Sequence, residues 1–293
     1  MLSKENYLNV PLPWHAKIAA KIILSRLPLP YGFWKKLSLF EHGQMEHPEY
    51  SLEVAKKHLD KATFGRRNGD FTAVELGPGD TITSALAILA LGANKTIHVD
   101  VGAFASTDMN IYRTMADYLR TQKLVAPDLS EIESFEEMTR EIPVQYHTEG
   151  HLSLANMEPE SVDLVWSHAV LEHVGRAEFL ETMRQTRRIL RKDGVATHVV
   201  DLKDHLSYGL NNLRFSEKTW ESSFMSKSGF YTNRIRYSEM LALFEKAGFE
   251  VCETTKVLFD ALPTPKSKLW EPYRKLPDEE LMISDFDVVL RPR

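Results

Sequence analysis

The chain has a single cysteine, Cys252, among its 293 residues. That excludes a disulfide within the chain, and its setting in the strand-like run FEVCETT reads as core packing rather than chemistry. One cysteine fits a reducing compartment. The N-terminus also lacks the apolar core of a secretory signal, so a cytoplasmic location is expected. No run reaches the ~18 apolar residues of a membrane span; the most apolar stretch, Ile82 to Ala93, is short and broken by Thr83 and Ser84. A basic excess is missing too. Lys and Arg number 36 against 41 Asp and Glu, a net charge of −5, which argues against a nucleic-acid substrate. Internal repeats and low-complexity tracts are absent. What remains is an ordinary balance, 43% apolar and 26% charged, that suits one large α/β domain with additions, or two small ones.

The most informative stretch is FTAVELGPGD, Phe71 to Asp80, with the acid of TIHVDV, Asp100, 21 residues beyond Gly79. A short apolar run ends in Glu75 and meets the turn Gly77-Pro78-Gly79. A segment of helical period follows, then a second apolar run ending in Asp100. This is the layout of a strand–loop–helix–strand unit that holds an adenosine. The glycines allow close approach of the backbone, and the second acid accepts from ribose hydroxyls.

Seven strand-like runs are legible: Phe71–Leu76, Thr96–Val101, Pro143–His147, Val162–His168, Gly194–Leu202, Phe249–Leu258 and Ile283–Leu290. The first five alternate with helical segments and predict a parallel sheet covered on both faces. The last two, joined by a Pro- and Lys-rich connection, predict an antiparallel pair at one edge. Gly92 should stop the helix after the glycine turn, and Asp193-Gly194 should turn the chain into strand five. Ser238 is placed to cap a helix that Gly248 ends. Arg184, Arg187, Arg188 and Arg191 read as a solvated helix face rather than a phosphate site. Residues 1–64 precede the first strand and contain an amphipathic stretch, Trp14 to Leu27, with Lys17 and Lys21 opposite Ile18 and Ile22 and a stop at Pro28-Leu29-Pro30. A helical cap or lid is the simplest reading, with a homodimer arm or a membrane-surface helix also compatible. Residues 65–293 form the core, carrying an insertion, 205–236, rich in aromatic and basic residues.

Taken together these residues resemble a class I S-adenosylmethionine-dependent methyltransferase, with a domain of the type 11 kind, over about Phe71 to Leu290. VELGPGD resembles the first motif, HVDV supplies the second-strand acid, and SVDLVWSHAVLEHV, Ser161 to Val174, resembles the fourth-strand motif. LRKDGVATHVVD and YSEMLALFEKAGFEV resemble the entry to strand five and the helix into strand six. The third glycine of the common loop is replaced by Thr81. Ile82 likewise stands where a dinucleotide enzyme would place its last glycine, which weakens a nicotinamide-binding reading. The resemblance implies a Rossmann-like seven-stranded sheet, mostly parallel with an antiparallel edge pair. It implies S-adenosylmethionine as cofactor, S-adenosylhomocysteine as product and a small-molecule methyl acceptor.

The resemblance also distributes roles. Gly77, Pro78, Gly79 and Asp80 form the loop against the methionine end. Glu75 reaches the ammonium or else holds the loop. Asp100 takes the ribose hydroxyls, with Val101 near the adenine. Glu149 and Gly150 lie where the adenine amine is met, Glu149 being the candidate acceptor or equally a surface-loop acid, and Ser167 and His168 pass beside the sulfonium carbon. A hydroxyl acceptor needs a base, and histidine is tuned for that near neutral pH. His205 is the preferred base, oriented by Asp201 or Asp204; His173 is a second candidate for which capping is equally compatible. Asp201, Asp204, His205, Glu172 and His173 have the donor types of a metal site, but so closely placed in a polar turn they more simply cap and hydrogen-bond, and no metal is assigned. An oxygen acceptor on a sugar, glycan or hydroxylated secondary metabolite is the expected substrate. A non-catalytic module that binds the nucleoside, and an NAD-dependent oxidoreductase, are the alternatives.

Overall fold

A computed structural model describes residues 44–62 and 70–293, together with 14–16, 18 and 22. Seven strands form one sheet: β1 (Thr72–Leu76), β2 (Lys95–Val99), β3 (Val144–His147), β4 (Val162–His168), β5 (Leu190–Asp201), β6 (Phe249–Leu258) and β7 (Ile283–Pro292), in the order β3-β2-β1-β4-β5-β7-β6. The first five are parallel; β7 runs antiparallel between β5 and β6. The edge pair is therefore present, with its later strand on the inner side.

Strand periodicity divides the core. Ala73, Leu164 and Trp166 face one layer, made by α1 (Pro48–Lys61), α2 (Thr83–Ala90), α3 (Met109–Thr121) and α4 (Phe135–Glu141). Val74, Leu76, Val162 and Val165 face the other, made by α5 (His151–Ala155), α6 (Arg176–Ile189) and α7 (Tyr237–Lys246). The sheet grows outward from β1 through β2 to β3, then restarts beside β1 with β4. Right-handed crossovers require the helices to change face at that reversal, and they do. The crevice above the carboxyl ends of β1 and β4 is thus the topological switch point where ligands of such sheets bind.

Helix α1 comes from the segment read as a cap, yet its Leu52, Val54, Ala55 and Leu59 are buried in the first layer with Phe71 and Ile82. Trp14, Ile18 and Ile22 pack on the insertion residues Leu206, Trp220, Met225, Phe230 and Tyr231. Lys17, Lys21, Leu27 and the Pro28–Pro30 stop lie outside the described residues.

Four local expectations are corrected. Cys252 is exposed, because β6 is the sheet's outer edge. Ser238 lies inside α7, not at its cap; its N–H and hydroxyl both donate to the Glu280 carboxylate (2.8 and 2.6 Å). Strand five begins at Leu190, straight from α6, and the register jumps from Val162–Leu190 to Leu164–Val195, so that Asp193-Gly194 sits in a bulge. The arginine face of α6 is not simply solvated. Arg188 donates to the carbonyls of Leu154 and Ala155, Arg187 to that of Arg293, and Arg191 pairs with Asp163 at 3.3 Å. Among the described residues no helix is long and apolar enough to cross a membrane.

Candidate functional site

The glycine turn occupies the switch point. Gly77 and Gly79 have φ of +67° and +72°, a region that side chains disfavour. A Cβ on Gly77 would stand 2.5 Å from Cγ1 of Val170, in the turn after β4. The N–H of Gly77 donates to the Val99 carbonyl (2.8 Å), and that of Gly79 to Asp100 Oδ2 (3.1 Å). Both donors are therefore engaged within the protein. The loop offers a ligand close approach rather than these two N–H groups.

Asp100 closes β2 at the same crevice. Its Oδ1 accepts from Val101 N–H at 2.7 Å, and its Oδ2 from Gly79 N–H, which fixes the carboxylate at the mouth of the crevice. The backbone of Gly150 donates to the Asp100 carbonyl (2.8 Å), which brings the loop after β3 against the loop after β2. Gly150 has φ +56°, and a Cβ there would lie 3.1 Å from Val101 Cγ1. Val101 is 78% exposed and Leu152, one turn further, 57%. Two bare apolar side chains thus flank the loops where the sequence places the adenine, and Glu149 is exposed beside them. Pro78 and Asp80 lie in the same turn, Asp80 buried with its carbonyl accepting from Ser106 N–H at 2.8 Å.

Glu75 is buried and directed into the first layer. Its carboxylate accepts from the Ser84 hydroxyl and lies 2.8 Å from His98 Nδ1. It ties α2 and β2 to β1 and so holds the loop through side chains rather than backbone donors. Ser167, also buried, points into the second layer, where its hydroxyl meets His198 Nδ1 at 2.8 Å. His168 points to the opposite face and joins a polar column from α1. Its Nδ1 is 3.3 Å from His58 Nε2, its Nε2 3.4 Å from the Tyr50 hydroxyl, and His58 Nδ1 is 2.9 Å from Thr197 Oγ1. The backbone then breaks sharply, with Ala169 at φ +54°.

Burial holds these rings neutral. It lowers His168 to about 4 and His198 to about 3, and lowers His58 well below the usual range. In the unfolded chain they protonate near 6.5. Their contribution to stability is complete above about pH 6.5 and is lost as pH falls toward 4 and 3, because the unfolded state binds the extra protons. Glu172 and Asp201 act in the opposite sense, being raised mainly by burial, Asp201 to about 6. We expect the ring signals of His168 and His198 to stay fixed between pH 5 and 8 in proton NMR; a midpoint near 6.5 for either would contradict the burial described.

The turn after β4 and the start of the insertion bring the remaining candidates together. Glu172, His173 and His205 offer one ligand atom each, all within 4.8 Å of one another, and the two rings lie 4.9 Å apart between centroids. Asp201 is engaged with Lys203, accepting its backbone N–H at 2.7 Å and its ammonium at 3.1 Å. Asp204 turns into the loop and accepts from the N–H groups of Leu206, Ser207 and Asn211. It orders the insertion through these bonds. A residue the sequence did not single out, Asn233, fixes the cluster: its side chain donates to the carbonyls of Leu171 (2.7 Å) and Val174 (2.9 Å), and its N–H to that of Glu172 (2.7 Å). Only its position within the insertion hinted at this.

Residues 104–197 match the family described as a methyltransferase domain, a segment that includes the fourth-strand motif and its turn. A comparison with curated proteins returns no match. Among solved structures, the chain is similar to an S-adenosylmethionine-dependent methyltransferase from Methanosarcina mazei (14% identity, 76% of this chain and 93% of that one, TM-score 0.48). Another from Mesorhizobium loti matches with 15% identity over 82% and 99% of the two chains, TM-score 0.44. The residues present fit that cofactor: a turn with two glycines at positive φ, an acid at the end of the neighbouring strand, and bare apolar surface beside it. Residues 104–197 thus match a methyltransferase domain, and the seven-stranded sheet that holds them is of the Rossmann-like kind.

Proposed function

We propose that the domain transfers the methyl group of S-adenosylmethionine to a hydroxyl oxygen of a small molecule, a sugar or glycan unit or a hydroxylated secondary metabolite. The observation that carries this reading is the gathering of Glu172, His173 and His205 at the carboxyl ends of β4 and β5. Displacement at a sulfonium needs mainly proximity and alignment, which suffices for an amine or thiolate. An alcohol must also shed a proton, and a carboxylate with two imidazoles is apparatus for that. His205, at the start of the insertion, is the residue to which we give the proton. Within the insertion Trp220 stacks near Tyr231 and Arg234 lies over the Trp220 ring, all buried, and Trp14 packs against Phe215. The ringed, polar acceptor is read from the aromatic and basic composition of this segment.

The cofactor roles belong to the same proposal: Asp100 receives the ribose hydroxyls, and Val101, Leu152 and Glu149 surround the adenine. Asp100→Ala is expected to weaken S-adenosylhomocysteine binding by about 1–3 kcal/mol, roughly 5- to 150-fold in Kd. Calorimetry showing an unchanged Kd would remove the ribose assignment. The acceptor class is tested by incubating the protein with the cofactor and extracts of glycans or hydroxylated metabolites, then searching by mass spectrometry for a gain of one methyl. A product methylated on nitrogen or carbon would displace the oxygen reading.

A further inference from the structure

Glu172 is 2% exposed, and among the described residues neither of its carboxylate oxygens meets a donor at good hydrogen-bond geometry, the backbone N–H groups of Glu172 and Asp201 alone standing near. A buried carboxyl group left without a donor is costly, and folded proteins retain one where it is paired or ligates an ion. Its neighbours are of the right kind. Nδ1 of His173 stands 2.9 Å from the Tyr231 carbonyl. A carbonyl only accepts, so Nδ1 carries the hydrogen and Nε2 keeps the lone pair. This is the usual arrangement behind a metal-bound imidazole, in which the far nitrogen is fixed by a backbone oxygen. His205 brings a second ring from a separate segment, and Asn233 ties the two segments together by three hydrogen bonds to the turn that carries Glu172 and His173.

We propose that Glu172, His173 and His205 bind a divalent first-row transition-metal ion of the zinc class. Two imidazoles with one carboxylate suit such ions, whereas magnesium and calcium prefer all-oxygen sites. Ligand atoms at about 2.0–2.2 Å from one tetrahedral ion lie roughly 3.3–3.6 Å apart, so atoms already within 4.8 Å must close in by up to about 1.5 Å, a movement within reach of side-chain rotation. Three protein ligands leave a position open, and His173 stands on the exposed side of the cluster. That open position is where an acceptor hydroxyl would be acidified; this role rests on the methyl-transfer reading, whereas the binding of the ion does not. In the loaded protein His205 gives its lone pair to the ion, and the ion takes over the acidification that the ring performs alone.

The test uses the full chain stripped with a chelator. Titration with Zn2+ is expected to show one bound equivalent by calorimetry, and Co2+ to develop the visible bands of imidazole coordination. Glu172→Gln and His205→Ala are each expected to weaken Zn2+ binding at least about tenfold. Should Glu172→Gln fail to fold, His173→Ala, on the open side of the cluster, gives the same readout. Absence of stoichiometric Zn2+ and Co2+ binding, or an affinity unchanged in the variants, overturns the proposal. S-adenosylhomocysteine is titrated into the same samples. Cofactor binding without ion binding defeats the metal site alone, and ion binding without cofactor binding leaves the site standing while the methyl-transfer reading falls.

Discussion

His205→Ala is expected to slow methyl transfer by about 10²- to 10⁴-fold, the range over which positioned acid–base groups act, while the Kd for S-adenosylhomocysteine stays where it was. The separation follows from the fold. The residues to which we give cofactor roles sit on the loops after β1, β2 and β3, whereas His205 begins the insertion after β5, beyond β4. Removing its ring leaves the glycine turn, Asp100 and the Val101 face untouched. The loss should appear in kcat with KM for the cofactor little changed, the signature of an interaction made in the transition state. The His173 ring, 4.9 Å away, is held by the Tyr231 carbonyl and does not swing in as a substitute. Turnover within tenfold of the parent would show that the proton leaves by another route.

Gly77→Ala should unfold the crevice from its other side. The left-handed φ of +67° costs a side-chain-bearing residue about 1–2 kcal/mol. Placing its Cβ 2.5 Å from Val170 adds about 1–3 kcal/mol of overpacking. Chemical denaturation should register the sum, and cofactor affinity should fall with it, because the turn and the Val170 segment must move apart. The pair offers an internal control. Val170→Ala in the Gly77→Ala background relieves the overpacking but not the dihedral, so part of the loss returns; a double variant no better than the single one would mean that the contact is not the cause.

The crevice was legible because its determinants are local. A glycine pair after an apolar run, and an acid after the next, announce themselves without reference to the rest of the chain. The alternation of apolar runs with helical periods likewise predicts the parallel sheet. Features set by distant partners were not legible. For Glu75 the sequence left open an ammonium contact or a role in holding the loop; Ser84 and His98 engage its carboxylate, and nothing in VELGPGD reveals which layer its side chain enters. Helix α1 has the pattern of any amphipathic segment, so its burial against α2 and its histidine column to His168 could not be read from residues 1–64. Asp204 has the same residue type and neighbourhood as an orienting carboxylate, and only the fold shows it bonded to its own loop. Asn233 acts across about 60 residues of separation on a turn it never meets in sequence. Cys252 was misread because the edge position of β6 depends on where β7 inserts.

That insertion has a consequence for biosynthesis. Residues 283–292 lie between β5 and β6 and bond to both, although they are made after either. While a ribosome is still translating the preceding connection, β5 presents an unsatisfied rim, and β6, already synthesised, has no neighbour to join. Exposed rims of this kind recruit other polypeptides. A chain stopped before Ile283 would leave both rims bare, and is expected to aggregate rather than to fold as a smaller sheet, which sedimentation of the truncated protein would check.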